Sequence, residues 1–197
     1  MGRLLVATTN RGKIREIERI LAGGPFELVT LSGWPNLEPP EETGRTFEQN
    51  ARAKAVYYSD ATSQLTVAED SGLEIDALGG QPGIESARWG GAELTYPQKF
   101  TLIYDALRAK GAVDSPARFV CALALARGGQ ILFEARGTVE GRIAREPRGD
   151  GGFGYDPIFF YPPFGRTLAE ADHEKCAISH RGEAFGRLRE FLAQWRP

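Results

Sequence analysis

The sequence predicts an α/β protein, and three observations carry that expectation. Short apolar, β-prone runs alternate with stretches of helical periodicity along the whole chain. Three segments have the form of a capping box at a helix start: Thr46 to Gln49, Thr95 to Gln98 and Thr167 to Glu170. Two long β-prone runs, ARFVCALALAR and QILFEARGTVEGRIA, are separated only by Gly128-Gly129, which reads as a β-hairpin.

Taken in order, RLLVATT is a short apolar run bounded by Asn10 and Gly12 and reads as a buried strand. KIREIERILA follows as a helix, with Ile14, Ile17, Ile20 and Leu21 on one stripe and Gly23-Gly24 as its stop. FELVTL is a second strand, and SGWPNLEPPEETG is a loop rich in Pro, Gly and acids. Thr46 opens a helix whose buried stripe is Phe47, Ala51, Ala55 and Tyr58. LTVAED and LEIDAL read as two strands joined by a turn around Ser71-Gly72, and GGQPGIESARWGG as a glycine-rich loop. The segment from Thr95 to Gly111 is a helix, followed by the hairpin. EPRGDGGFGYDPIFFYPPFG has no periodicity. Thr167 then opens a short helix, and SHRGEAFGRLREFLAQW is a final helix with Ala184, Leu188, Phe191 and Trp195 inward.

Composition limits the function classes. The chain has 197 residues, which suits one domain or two tightly fused lobes. Its net charge is −2, so no bulk basic field points to nucleic acid. Cys121 and Cys176 form neither a CxxC pair nor a disulfide framework, which is the usage of a reducing cytosol. The apolar run LLVA is too short for a signal peptide or a membrane span.

Several motifs carry chemistry. TNRGK lies between a strand and a helix and ends in Gly12-Lys13. It is not a Walker A loop, because Ala7 stands at the first glycine position and Ile14 follows the lysine, so no hydroxyl is placed for magnesium. A helix N-terminus carrying a lysine still favours an anion, although an ordinary βα turn has the same form. PEETG supplies Glu41 and Glu42 in a loop, and AEDSG supplies Glu69 and Asp70 at a strand end. Such acids near a phosphate-binding helix end suit a metal-bridged phosphate site, and magnesium needs only one or two carboxylates. Asn50 and Lys54 share one helix face. In GDGGFGYDP the glycines let backbone approach a ligand, Phe153 and Tyr155 offer rings for stacking, and Asp156 before Pro157 is held extended. KCAISHRG places Lys175, Ser179, His180 and Arg181 at a helix start. Three of the five lysines (Lys13, Lys54 and Lys175) fall in these motifs, in a chain that otherwise uses arginine.

ATTNRGKIREI, EETGRTFEQNARAKA, AEDSGLEIDALGGQPGIESAR, GGFGYDPIF, TLAE and KCAISHRGEA resemble, in order and spacing, the inosine triphosphate pyrophosphatase family, the dITP/XTP pyrophosphatases of non-standard purine nucleotides. The resemblance runs from residue 4 to about residue 192. It implies one nucleoside triphosphate pyrophosphatase domain over residues 1–197, with an elongated two-lobed α/β fold. A long curved mixed sheet would be flanked by helices, with the nucleotide in a cleft between the lobes. It implies a cytoplasmic homodimer and Mg²⁺-dependent cleavage between the α and β phosphates. Residue by residue, Thr8, Thr9, Asn10, Arg11, Gly12 and Lys13 would form the triphosphate loop. Asp70 would be the metal-linked general base, Ser71 a substrate contact, and Lys54 a catalytic phosphate contact. Glu42, with Glu41, would help Asp70 hold the metal. Phe153, Gly154, Tyr155 and Asp156 would line the base pocket with Lys175, His180 and Arg181. Glu69 departs from the Asp that bacterial relatives commonly carry there.

Selectivity for hypoxanthine or xanthine over adenine needs a donor aimed at the 6-oxo group, and Arg181 is the natural one. Two rival readings stay open on the sequence: a hydrolase of modified pyrimidine triphosphates, and a nucleotide-binding module without turnover.

Overall fold

The computed structural model describes residues 2–171 and 178–195. Seven strands form one mixed sheet in the order β2-β1-β3-β4-β5-β6-β7. The strands are β1 (Gly2–Val6), β2 (Phe26–Thr30), β3 (Leu65–Ile75), β4 (Pro116–Arg127), β5 (Gln130–Ile143), β6 (Phe159–Tyr161) and β7 (Arg166–Thr167). Four helices accompany them among the described residues: α1 (Arg11–Leu21), α2 (Phe47–Thr62), α3 (Tyr96–Ala109) and α4 (His180–Gln194). Strand β1 runs parallel to both β2 and β3, while β5-β6 and β6-β7 are antiparallel. None of these helices is long and apolar enough to cross a membrane.

The chain divides into two compact units, each with its own core. Residues 1–70, 121–137 and 180–197 form the first. Its core joins Leu4 and Val6 of β1, Leu65 and Val67 of β3, and Cys121, Leu123 and Leu125 of β4. Ile17 and Leu21 of α1 and Ala184, Phe185, Leu188 and Leu192 of α4 pack against them. The helical stripe expected for the C-terminal segment is therefore inward, with Phe185 and Leu192 as its further members. Residues 71–120 and 138–179 form the second unit. There Phe100, Ile103, Tyr104 and Leu107 of α3 pack against Leu73, Ile75, Phe119, Val139 and Ile143.

Local signals explain the boundaries. Thr46 caps α2 by accepting from Gln49 N at 3.2 Å, and the Gln49 side chain accepts from Arg45 N at 2.7 Å. The reciprocal bond thus lands one residue before the cap. Thr95 and Gln98 form a full capping box on α3. Gly128 and Gly129 both adopt positive φ, 53° and 73°, the geometry of a tight hairpin turn.

Three expectations are corrected. LTVAED and LEIDAL are not two strands around a turn: β3 runs unbroken from Leu65 to Ile75 through Ser71 and Gly72. Gly72 serves close packing here, because a side chain on it would collide with Gly83 O and Ser86 Oγ, and Ser86 Oγ accepts the neighbouring Leu73 N–H at 2.9 Å. The aperiodic segment before Thr167 contains the short strand β6. At Thr167 the capping-box bonds form, Thr167 N to Glu170 Oε2 at 2.8 Å and Glu170 N to Thr167 Oγ1 at 3.3 Å, but they close a turn over residues 168–171.

Candidate active site

Strand β3 positions the central acids. Its partner β1 pairs with it only as far as Val6↔Val67, after which Ala7 N still bonds Val67 O at 2.9 Å. Glu69 and Asp70 therefore lie mid-strand in β3 yet just beyond the carboxyl end of β1, beside the turn into α1. That is where open parallel sheets place ligands. The sequence reading put these acids at a strand end; the end is that of the neighbouring strand. Successive strand residues face opposite sides. Glu69 accordingly meets α1 and α4, and Asp70 meets α2.

On the α2 side, Asn50 Nδ2 donates to Asp70 Oδ2 at 2.9 Å. Asn50 Oδ1 in turn accepts from Gly44 N at 2.9 Å, so one amide ties the acid loop to the strand. Lys54 Nζ, one helical turn from Asn50, sits 2.6 Å from Glu42 Oε1 and 3.5 Å from Asp70 Oδ1. Burial pushes the Asp70 carboxyl up, Lys54 and Asn50 pull it back, and Glu42 and Glu69 add to the rise, leaving it above its ordinary value. Burial works against the Lys54 ammonium, but Asp70 and Glu42 outweigh it and hold Lys54 above its usual range. Glu41 is exposed, and its neighbour Glu42 is the acid that turns inward.

This donor set fits a hard cation. The ammonium of Lys54 already occupies a point toward which two carboxylates converge. Among the described residues no cluster of three or more His, Cys, Asp or Glu side chains could hold a metal by itself. Two carboxylates completed by water suit a hard cation that takes oxygen ligands and keeps several waters.

On the other face, Lys13 Nζ contacts Glu69 Oε1 at 2.7 Å. Glu69 Oε2 lies 3.6 Å from Arg181 NH2 and accepts from Cys121 Sγ at 3.5 Å. Arg181 also pairs with Glu16, one turn along α1 from Lys13. Burial raises the Glu69 carboxyl, but Lys13 and then Arg181 outweigh it and hold it well below the ordinary carboxylate range. Two of the N–H groups at the start of α1 are already taken. Asn10 is the N-cap, and its Oδ1 accepts from Gly12 N at 2.9 Å and Lys13 N at 3.2 Å. Thr8 Oγ1 accepts from Asn10 N at 3.2 Å. Any pull on an anion here comes from the Lys13 ammonium and the helix end as a whole. Thr9, Asn10 and Arg11 are exposed.

His180 and Arg181 open α4 and are both buried, Arg181 to 1% exposure. Gly137 of β5 lets that helix start approach, since a Cβ there would run into His180 O. The sequence reading makes Arg181 a donor toward the base; its guanidinium pairs with Glu16 and Glu69 inside the first unit. Lys175 lies outside the described residues.

The Phe153–Asp156 loop belongs to the second unit. Gly152, at φ +70°, leaves room for the Asp156 carboxylate to fold back and accept from Phe153 N at 2.8 Å. Asp156 opens a 3₁₀ turn (Asp156–Ile158) and is not extended, because that bond and its burial override the bias of a residue before proline. Tyr155 is not available for stacking either: it is 3% exposed, its hydroxyl donates to Ser86 O at 2.8 Å, and its ring meets Tyr96 edge-on at 5.2 Å. Phe153 and Gly154 stay half-buried, as does Ser71 in mid-strand.

Comparison with known proteins places the chain in a family. The model of the Ham1 family matches residues 4–191. The chain belongs to the Ham1 family. The dITP/XTP pyrophosphatase of an Exiguobacterium species is 42% identical over 94% of this chain and 94% of its own. The dITP/XTP pyrophosphatase of Geobacter sulfurreducens is 42% identical over 98% of this chain and 97% of its own. The structure of a HAM1 protein from Coxiella burnetii superposes with a TM-score of 0.91 at 38% identity, covering 99% of this chain and 100% of that one.

For this Ham1-family chain, sequence reasoning missed Glu16 and the part played by Asn50. Glu16 carries one signal, its spacing of three from Lys13 on a helix, but its partner lies 165 residues away. Asn50 shares a face with Lys54, yet only the register of α2 against β3 shows that it holds Asp70.

Proposed function

We propose that this chain is a nucleoside triphosphate pyrophosphatase that hydrolyses non-standard purine nucleoside triphosphates (ITP, dITP and XTP) to the monophosphate and pyrophosphate. The observation that carries the reading is the buried Asp70 carboxylate. It is held by Asn50, faced by Lys54 and Glu42, and set beyond the end of β1 beside the lysine of a strand–turn–helix unit. A carboxylate kept basic above its usual value and anchored through one oxygen suits proton abstraction from an attacking water.

Cleavage of a phosphoanhydride depends on positioning and charge neutralisation more than on covalent help. Lys13 and Lys54 supply positive charge to the triphosphate. Asp70 accepts the proton of the attacking water, with Oδ2 fixed by Asn50 so that the carboxylate cannot rotate away. Mg²⁺, held through Asp70 and Glu42 with Glu41 nearby in the loop, would supply further charge neutralisation and polarise water. Thr8 together with the TNRGK turn, Thr9 to Lys13, is the triphosphate loop of this reading, and Ser71 a further contact. His180 and Arg181, with Lys175, are assigned to the purine carbonyls, Phe153 and Gly154 to the base, and Tyr155 and Asp156 to shaping that loop. One functional domain over residues 1–197, a homodimer and a cytoplasmic location complete the reading, on the strength of the resemblance.

A panel of ITP, dITP, XTP, ATP, GTP and a modified pyrimidine triphosphate, assayed for pyrophosphate, tests it. The three non-standard purines are expected to turn over far faster than ATP or GTP, with little regard for the 2′-hydroxyl. Preferred turnover of the pyrimidine would support the rival hydrolase, and binding without turnover the non-catalytic module.

A further inference from the structure

Glu69 is the buried acid to which the proposed reaction assigns nothing. It is one member of an alternating chain of charges: Lys13 to Glu69 at 2.7 Å, Glu69 to Arg181 at 3.6 Å, and Arg181 to Glu16. Lys13 and Glu16 are one turn apart on α1, so the chain closes on that helix with two cations and two anions. Within it the exposures are unequal. The side chains of Glu69 and Arg181 are 2% and 1% exposed, and that of Lys13 is 19% exposed. Lys13 is the member that solvent reaches most, with Glu16 next at 10%.

A carboxylate in this place works against anion binding. The helix end and the Lys13 ammonium attract phosphate, whereas a negative charge in contact with that ammonium offsets the attraction and must share it with any arriving phosphate. Holding Lys13 in place does not require a full charge, and Arg181 already has Glu16.

We propose that Glu69 is an internal counter-ion that competes with the phosphates of substrate and product for Lys13, weakening the grip on the anion so that pyrophosphate can leave. The inference rests on the reading that Lys13 meets phosphate. Glu69 is a positioning residue in this scheme: it acts through Lys13 and touches no reacting atom.

The readout is a gain of affinity, which a residue that merely holds the fold together would not give on removal. Inorganic tripolyphosphate is titrated calorimetrically, at saturating Mg²⁺, into the whole chain and into Glu69→Gln, Lys13→Ala and the double variant. Glu69→Gln is expected to bind about tenfold tighter than the unmodified chain, the size of an ordinary coupling between sites. In the Lys13→Ala background the same change is expected to gain less than about threefold, the remainder being through-space repulsion. Unchanged or weaker binding by Glu69→Gln overturns the proposal, as does an equal gain without Lys13 or a Lys13→Ala variant that binds as well as the unmodified chain. If Glu69→Gln does not fold, Glu69→Asp replaces it, since one methylene fewer pulls the carboxylate back from Lys13. A smaller gain is then expected, and no gain overturns the proposal. Turnover of ITP is measured alongside. A chain that completes the binding cycle as expected but does not cleave ITP contradicts the proposed function and leaves the counter-ion standing.

Discussion

Asn50 Nδ2 donates to Asp70 Oδ2 across 2.9 Å, while the other end of the same amide accepts from Gly44 N. Asn50 is 1% exposed, so its amide is shielded from water. Asn50→Ala should remove the acceptor of the half-buried Gly44 N–H and one donor to the buried Asp70 carboxylate, at about 1–3 kcal/mol. In the assay of ITP turnover this variant should lose kcat more than it raises KM, because the carboxylate is freed to rotate while Lys13 and Lys54 remain. A change confined to KM would assign Asn50 to substrate binding.

Metal removal gives the next test. Chelation with EDTA should abolish turnover and Mg²⁺ should restore it. Binding is also visible without turnover: Mg²⁺ should raise the thermal midpoint of the unmodified chain but not of a Glu42→Gln/Asp70→Asn double variant. Activity that survives exhaustive chelation would remove the carboxylate-metal part of the account.

Arg181 is 1% exposed between Glu16 and Glu69. Its replacement by Ala removes the cation that pairs with buried Glu16 and one of the two cations facing Glu69, and should cost about 3–5 kcal/mol of stability. That loss lowers the folded fraction for every substrate alike, so it cancels in a ratio of rates. If Arg181 also donates to the 6-oxo group, the ITP-to-ATP rate ratio should fall, by about 1–3 kcal/mol in differential transition-state energy. Equal loss on both substrates would make the residue structural and move base discrimination elsewhere.

The depressed Glu69 carboxyl has a consequence for acid stability. Its folded value lies below its ordinary 4.5, so the unfolded chain binds the proton first. The stabilisation is fully present above about pH 4.5 and is lost as pH falls toward the folded value. Chemical unfolding of the unmodified chain should show stability falling with acid in that window, with a flatter profile for Glu69→Gln. Identical slopes would mean that the Lys13 and Arg181 contacts do not hold the carboxylate as described.

Most of the helices and strands were legible because their signals are local: a capping residue, a period or a glycine pair. The same holds for Asp70, Lys54 and Lys13, each at a motif whose chemistry is visible in one line of sequence. The failures share a cause. Ser71-Gly72 has the composition of a turn, but Gly72 is dictated by packing against Ser86, 14 positions on. Tyr155 reads as a ring offered for stacking, but its exposure is set by Tyr96 and Ser86. Arg181 belongs to an acid 165 residues away on α1. Contacts of that separation leave no trace in composition or period, and they decide which polar residues face a ligand and which are held within the protein.

The most direct test is the product analysis of ITP hydrolysis by the unmodified chain beside Asp70→Asn. The account predicts equimolar IMP and pyrophosphate from the former. The latter should lose kcat by about 10²-fold or more while still binding ITP, because the amide preserves the shape but cannot accept the proton. Release of orthophosphate in place of pyrophosphate, or near-normal turnover by Asp70→Asn, would contradict it.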